Sequence, residues 1–165
     1  MNFPFVHETT IDESGMIGKG TKIWHFSHIS RGAVVGKNCI IGQNVFIGED
    51  VIIGDGCKLQ NNVFLPKGVE LEDDVFVGPG TTFTNIKNPR AFIERKKEFR
   101  NTVVCKGASI GANCTILCGI MIGSYAIIGA GSVVVQSINA FGVAFGNPAE
   151  AVGVISMDGT KIDYY

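Results

Sequence analysis

Between Lys87 and Lys106 the chain places seven basic residues, Lys87, Arg90, Arg95, Lys96, Lys97, Arg100 and Lys106, against two acidic ones, Glu94 and Glu98. That window carries +5, while the rest of the 165-residue chain has seven basic and thirteen acidic side chains, or −6. A cationic segment on an acidic body points to a local anionic ligand; the bland alternative is a solvated polar loop. The overall net charge of −1 argues against general nucleic-acid binding.

Histidine and cysteine offer less. The histidines are His7, His25 and His28, and none follows His28. Five cysteines, an odd number without paired spacing, suit a reducing cytoplasm. Cys39 and Cys57 read as packing groups, and Cys105, Cys114 and Cys118 have no histidine or acid at a metal-ligand spacing, so no metal is expected. No apolar run approaches the roughly 20 residues that span a bilayer. The opening "MNFPFVHETT" lacks a basic and an apolar region, so neither a signal peptide nor a membrane partner is expected, and the localisation reads as cytoplasmic.

The elements that position these residues repeat every six positions. From Ile11 the series runs Ile11, Ile17, Ile23, Ile29, Val35, Ile41, Ile47, Ile53, Leu59, Leu65, Leu71, Val77 and Phe83, all apolar. Three residues after most beats stands Gly, Asn or Asp, which tolerate positive φ; after four stands a small or β-branched residue. Helices and single strands have other periods. Short strand, tight turn, short strand makes one flat side per hexad, and three sides close a coil of eighteen residues. Coils stack as parallel β-structure about 4.8 Å apart. The fold class is all-β, a parallel β-helix.

The beat stops after Phe83 and resumes at Val104, Ile110, Ile116, Ile122, Ile128 and Val134. One domain is expected, with coils over about 11–85 and 103–139, an extruded loop over about 86–102, and a C-terminal segment over 140–165. Loops of this length without repeats of their own are often functional.

The hexads, with "AFGNPAEAVG" (Ala140 to Gly153), resemble the hexapeptide-repeat acyltransferases over nearly the whole chain. The phrases "IWHFSHI" from Ile23, "IGQNVFIG" from Ile41, "LQNNV" from Leu59, "FTNIKNPR" from Phe83 and "IERKKEFRNTVV" from Ile93 are similar to the members that N-acetylate nucleotide-linked amino sugars. The resemblance implies a left-handed coil, a homotrimer, acyl-CoA bound between subunits, and a UDP- or dTDP-linked sugar, commonly a 3-amino-deoxyhexose for surface polysaccharide such as lipopolysaccharide.

It also implies site residues. Asn85 matches the asparagine that approaches the sugar amine; an amide is no base, but it accepts a hydrogen bond and orients the amine. The alternative is a turn cap. Where many relatives carry a His-Pro step, this chain has Asn88-Pro89. His25 and His28 lie three coils below the loop, roughly 14 Å away, and read as solvent-facing or nucleotide-adjacent. Arg31, Asn44, Asn62 and Phe83 are expected at the substrate. Asn44 and Asn62 equally suit turns, and Arg31, Glu49 and Lys67 equally suit a charge ladder on the column of Asn85. For acetyl-CoA the resemblance points to Gly111, Ala112, Ala130, Asn147 and Pro148. Gln136 and Glu150 replace the usual basic residues, so either Lys106 and the loop cations hold the CoA phosphates or CoA binding is weak or absent. The reading is an acetyl-CoA-dependent N-acetyltransferase without metal. Its alternatives are acyl transfer to another small acceptor, or a β-helical scaffold without chemistry.

Overall fold

The computed structural model describes residues 3–164, with side chains described as far as 160. Short strands, mostly of two residues, are separated by tight turns and stacked in three sheets of ten, seven and five strands. A single 3-10 turn, Lys96–Glu98, interrupts the all-β structure. Pairing along the coil is parallel, and partners stand eighteen residues apart, as in Ile23 with Ile41 and Ile41 with Leu59. This is the parallel β-helix that the hexads require, and its coil is the left-handed one of hexapeptide repeats.

The beats form three inward ladders. Ile41 and Leu59 face in from the first sheet, Ile47 and Leu65 from the second, Ile53 and Leu71 from the third, each at most 1% exposed. The small residues four positions on are buried beside them; Cys39 and Cys57 are fully buried there, as expected. The hydrogen bond with Cys39, and then burial, push the Cys57 thiol well above its ordinary range. At Thr21, Ser27 and Thr81 the hydroxyl of the small residue donates to a carbonyl of the next coil, Thr21 to Gly36 at 2.7 Å, Ser27 to Gly42 at 2.9 Å and Thr81 to Gly111 at 2.9 Å. The turn positions take positive φ, +55° at Asn44 and +61° at Asn62. Even Phe26 and Tyr125 adopt +59° there, and Tyr125 stacks on Phe141 at 5.3 Å.

The first coil departs from the expected register. Asp12, not Ile11, pairs with Ile29, and Val6 pairs with Ile23, both seventeen residues apart. Ile11 therefore faces outward and is 56% exposed. The strictly counted beat begins at Ile17, which bridges to Val35. Apolar character alone did not reveal this slip, because one residue of register moves a side chain to the opposite face.

The loop is one swollen corner. Leu71 pairs with Ile53, eighteen residues below, and with Val104, thirty-three above. Fifteen extra residues thus leave the coil between the second and third sheets and return without changing the stack. At the top, Gly142–Gly146 continues the first sheet in parallel, then Ala149–Ile155 and Lys161–Tyr164 fold back antiparallel and cover the last coil.

Candidate active site

Asn85 stands where the wall ends, two residues beyond the second-sheet strand Thr82–Phe83. It lines a cleft of about 500 Å³ together with Phe46, Phe64, Lys67, Lys96 and Phe99. The two phenylalanines come from the outer face of the second sheet; Lys67 occupies the same corner as Asn85 one coil below, and Lys96 and Phe99 come from the loop. A neighbouring cleft of about 300 Å³ on the third-sheet side shares Lys67, Lys96 and Phe99. The loop end thus forms the partition between the two.

The charges are less free than the composition implied. Lys67 donates to Asp50 at 2.6 Å and lies 3.6 Å from Glu49; the Asp50 carboxylate raises the ammonium's pKa above its usual value. Of the expected charge ladder, Lys67 and Glu49 come together, Asp50 from outside the column is closer still, and Arg31 has no carboxylate within ion-pair distance among the described residues. Arg95 is held by Glu98, with one guanidinium nitrogen 2.9 Å from each carboxylate oxygen. Arg100 lays its stem over Gly119, where an added Cβ would stand 3.1 Å from its Cδ. Lys96 lines both clefts and has no carboxylate within ion-pair distance among the described residues.

The remaining substrate candidates separate. Arg31 sits at the Asn85 corner, exposed, three coils down. Asn44 and Asn62 are exposed turn residues at the other edge of the second sheet, and the Asn85 cleft is lined by neither. Phe83 is corrected: it is 1% exposed, points into the core and pairs above with Ile116. Its aromatic character fills a core ladder, so Phe83 cannot touch a ligand from its own chain.

Five of the six cofactor candidates share one corner, between the first and second sheets. Gly111 lies directly under Ala130, so close that a Cβ on Gly111 would sit 2.5 Å from the Ala130 nitrogen, and Gly78 meets Ala112 in the same way. The turn holding Asn147 and Pro148, both exposed, follows on top, tied down by the Gly146 N–H to Ser132 Oγ at 3.2 Å. Lys106 is elsewhere. It lies at the corner between the third and first sheets, its N–H donating to Glu72 at 2.7 Å and its ammonium 4.0 Å from Asp73. Within one chain, then, the Asn85 cleft and the Gly111–Ala130 corner lie on opposite edges of the second sheet.

Sequence reasoning missed Phe46, Phe64 and Phe99. The first two occupy strand positions just before a beat, where the outward face admits any residue; an aromatic recurring at eighteen residues was the available signal. No group of three or more metal-ligating side chains occurs among the described residues, and none of their helices is long and apolar enough to cross a membrane.

Residues 15–49 and 101–136 match the bacterial transferase hexapeptide family, described as six repeats. Over 160 residues the chain is 42% identical to a dTDP-3-amino-3,6-dideoxy-alpha-D-galactopyranose 3-N-acetyltransferase of Aneurinibacillus thermoaerophilus, covering 97% of this chain and 83% of that one. Among solved structures, a maltose O-acetyltransferase from Clostridium difficile 630 is similar with a TM-score of 0.63 at 22% identity, over 90% of this chain and 72% of that one. A variant of GDP-perosamine N-acetyltransferase from Caulobacter crescentus, in complex with CoA and GDP-perosamine, gives a TM-score of 0.58 at 19% identity, over 92% of this chain. This chain spans 54% of that enzyme's length. The fold, its hexads and the near full-length relative agree: the chain belongs to the bacterial transferase hexapeptide family.

Proposed function

We propose that this protein is an acetyl-CoA-dependent N-acetyltransferase acting on a nucleotide-linked 3-amino-deoxyhexose used in surface polysaccharide, lipopolysaccharide included. The observation that carries the reading is the 42% identity to a 3-N-acetyltransferase of a dTDP-linked amino sugar across 97% of the chain. The geometry at Asn85 supports it. The cleft contains an amide, two lysines and an aromatic wall, and no histidine lines it.

In this reading Asn85 accepts a hydrogen bond from the sugar amine and aims its lone pair at the thioester carbon. The C–N bond forms, the C–S bond breaks, and the leaving thiolate takes the amine proton. An amine with a pKa of about 7–8 is partly neutral already, so no protein base is required. The second acyl-acceptor class, hydroxyls, lacks the base that its chemistry needs.

The active unit is a homotrimer, located in the cytoplasm. Its support is the separation described above: the acyl-CoA corner (Gly111, Ala112, Ala130, Asn147, Pro148) and the Asn85 cleft lie on opposite edges of one sheet. A neighbour's corner facing the Asn85 cleft brings both halves together. Lys106, held beside acids, serves the CoA phosphates only from a neighbouring chain, and Arg31, Asn44 and Asn62 reach a substrate only along its length.

The test is acetyl transfer from acetyl-CoA to a dTDP- or UDP-linked 3-amino-6-deoxyhexose, followed by mass spectrometry, alongside sedimentation. Acetylated sugar nucleotide and a trimer are expected. A stable monomer with full turnover would refute the shared site, and no turnover on any nucleotide-linked amino sugar would refute the activity.

A further inference from the structure

At the foot of the solenoid, three coils below Asn85, the two edges of the second sheet carry different chemistry. The corner between the first and second sheets is an aromatic shelf. Trp24, the only tryptophan, is 39% exposed, and Phe26 is 62% exposed. Phe5 meets the indole edge-on at 5.7 Å, and the His25 ring lies 11° from parallel to it at 6.3 Å. Phe26 also holds φ +59°, a left-handed conformation that costs a bulky residue energy and marks a site with a task. Tyr125 and Phe141, the other aromatic residues at positive φ, stack on each other, whereas Phe26 presents its ring to solvent. The opposite edge holds Arg31, exposed and without an ion-pair partner among the described residues. Phe26 and Arg31 stand within a third of a coil of the same height, less than about 1.6 Å, and the strand His28–Ile29 separates them within one chain.

We propose that Arg31 of one chain lies against the Phe26 and Trp24 rings of a second copy, with that copy's Glu8 beside it, as a clasp remote from acyl transfer. The inference rests on the trimer proposed above, in which the first-to-second corner of one chain faces the second-to-third corner of the next, and adds a named contact to it. Rotation about an axis parallel to the solenoid keeps every height equal. Asn85 stands three coils above Arg31, and Gly80, on the coil of Asn85, stands three coils above Phe26. An assembly that sets Asn85 against a neighbour's Gly80 corner therefore sets Arg31 against that neighbour's Phe26. The chemistry is complementary. A guanidinium is planar and weakly hydrated and stacks on aromatic faces, of which indole is the best. Glu8 is exposed and has no ion pair among the described residues; it precedes Thr9, whose Oγ1 accepts from the Phe26 N–H at 3.0 Å. Cation, rings and carboxylate thus meet at one level, and covering the Phe26 ring offsets the strain of its main chain.

The single tryptophan makes the test direct, because all indole emission comes from this corner. Acrylamide quenching of Trp24 is measured beside sedimentation for wild type, Arg31→Ala, Arg31→Lys and Phe26→Asn, with circular dichroism as the control for folding; asparagine tolerates the φ of Phe26. At a concentration where the trimer persists, Arg31→Ala should raise the quenching constant. Arg31 is across the second sheet from the Trp24 of its own chain, so this change comes from a neighbour. Arg31→Lys, which keeps the charge and loses the planar stack, should fall between. Each cation–π contact contributes a factor of roughly two to five. Losing three per trimer should weaken assembly by about ten- to a hundredfold in Arg31→Ala and in Phe26→Asn, and combining the two should add little. When Arg31→Ala and Phe26→Asn chains are mixed, native mass spectrometry should show an excess of mixed trimers, since only these retain a complete clasp. A wild-type trimer whose Trp24 is quenched no less than that of Arg31→Ala, or random assortment of the mixed chains, would overturn the clasp and leave the trimer standing. A wild-type monomer would overturn the trimer and the clasp together.

Discussion

The Arg100 N–H donates to the carbonyl of Asn85 at 2.9 Å, closing the neck of the loop. Residues 86–99 lie between them and none is buried, so this bond, followed by the Thr102 N–H to Gly68 at 2.8 Å, returns the chain to its coil. The neck uses only the main chain of Asn85. Its side chain is held at a fixed height on the corner and remains available to the cleft.

Asn85→Ala should therefore lower kcat without disturbing the proposed trimer or CoA affinity. Losing one positioning hydrogen bond costs roughly 1–3 kcal/mol, about fivefold to 150-fold in rate. Asn85→Asp retains an acceptor and should keep part of the activity. Since no protein base is invoked, the pH profile of kcat/KM should follow the sugar amine in wild type and Asn85→Ala alike. Full activity in Asn85→Ala, with turnover lost in His25→Ala, would transfer the chemistry to a histidine of another chain.

Removing the loop should separate folding from function. Deleting residues 86–100 restores eighteen-residue spacing and joins Asn85 to Asn101. Asn101 then falls three residues after the Phe83 beat, at a turn position, and Thr102, 1% exposed, falls at the small buried position. The shortened corner is an ordinary hexad. Its melting temperature should shift by less than about 4 °C, the equivalent of roughly 1 kcal/mol in a chain of this size, while acetyl transfer should disappear. Collapse of the fold would mean that the loop supports the coil, contrary to its lack of buried side chains.

The solenoid was legible because its signal repeats: one inward beat, one turn residue and one small residue in every hexad leave little freedom for another period. The corner occupied by Asn85 was legible for the same reason, since it stands two residues past Phe83, the last beat before the break, whereas its role came from the resemblance. Phe83 misled because an aromatic at a beat looks like a ligand contact and is instead a core residue. The cations around Asn85 misled in number. Pairing of Arg95 with Glu98 and of Lys67 with Asp50 depends on chain folding over short distances, and composition counts charges without their partners. Lys106 was offered with the loop cations in place of the basic residues missing near Ala130, though a corner position follows from the count of residues within a coil and puts the two on different edges.

Close stacking at the proposed CoA corner makes a stability contrast between two glycines. At Gly111 an added Cβ meets the main chain of Ala130 at 2.5 Å, whereas at Gly131, with φ +73°, it meets nothing within 4 Å. Gly111→Ala should destabilise by about 2 kcal/mol, because backbone on two coils must separate. Gly131→Asn should change stability by less than about 1 kcal/mol, since asparagine tolerates left-handed φ. Denaturant midpoints compare them directly; equal losses would contradict the close stacking.

Cys105 provides a pH test of the third-to-first corner. It is half-buried while Cys39, Cys57, Cys114 and Cys118 are buried. Burial first, and then the charges of Glu72 and Glu70, push its thiol pKa up. The thiolate is the reactive form, so a raised pKa depletes it at neutral pH, and alkylation should accelerate as pH rises past the ordinary thiol range. One thiol per native chain should react, more slowly at pH 7.5 than free cysteine, and Glu72→Gln should hasten it. Labelling faster than free cysteine would mean a thiolate stabilised at this corner.

Lys96 carries the last prediction, and it distinguishes a ligand site from a solvated loop. Of Arg95, Lys96 and Lys97, Arg95 is tied to Glu98 and Lys97 lines neither cleft, so Lys96 alone presents a free ammonium to both. Its counterpart Lys67 is compensated by Asp50, which leaves Lys96 as the uncompensated cation of the Asn85 end. Replacing all three basic residues with Ala should weaken phosphate-bearing ligands by about tenfold at low salt, in the range of one charge-assisted hydrogen bond. Lys96→Ala alone should reproduce most of that loss, and Lys97→Ala should reproduce little. The difference should shrink as salt is raised, because an exposed ammonium is screened beyond about 10 Å at 0.1 M ionic strength. Melting temperature should hold in each variant, since the segment buries no side chain. Dissociation constants of sugar nucleotide and CoA, measured at two salt concentrations, check this. If Lys96→Ala and Lys97→Ala behave alike, or the triple variant binds both ligands like wild type, the cations belong to a solvated loop and the break in the coil has another purpose.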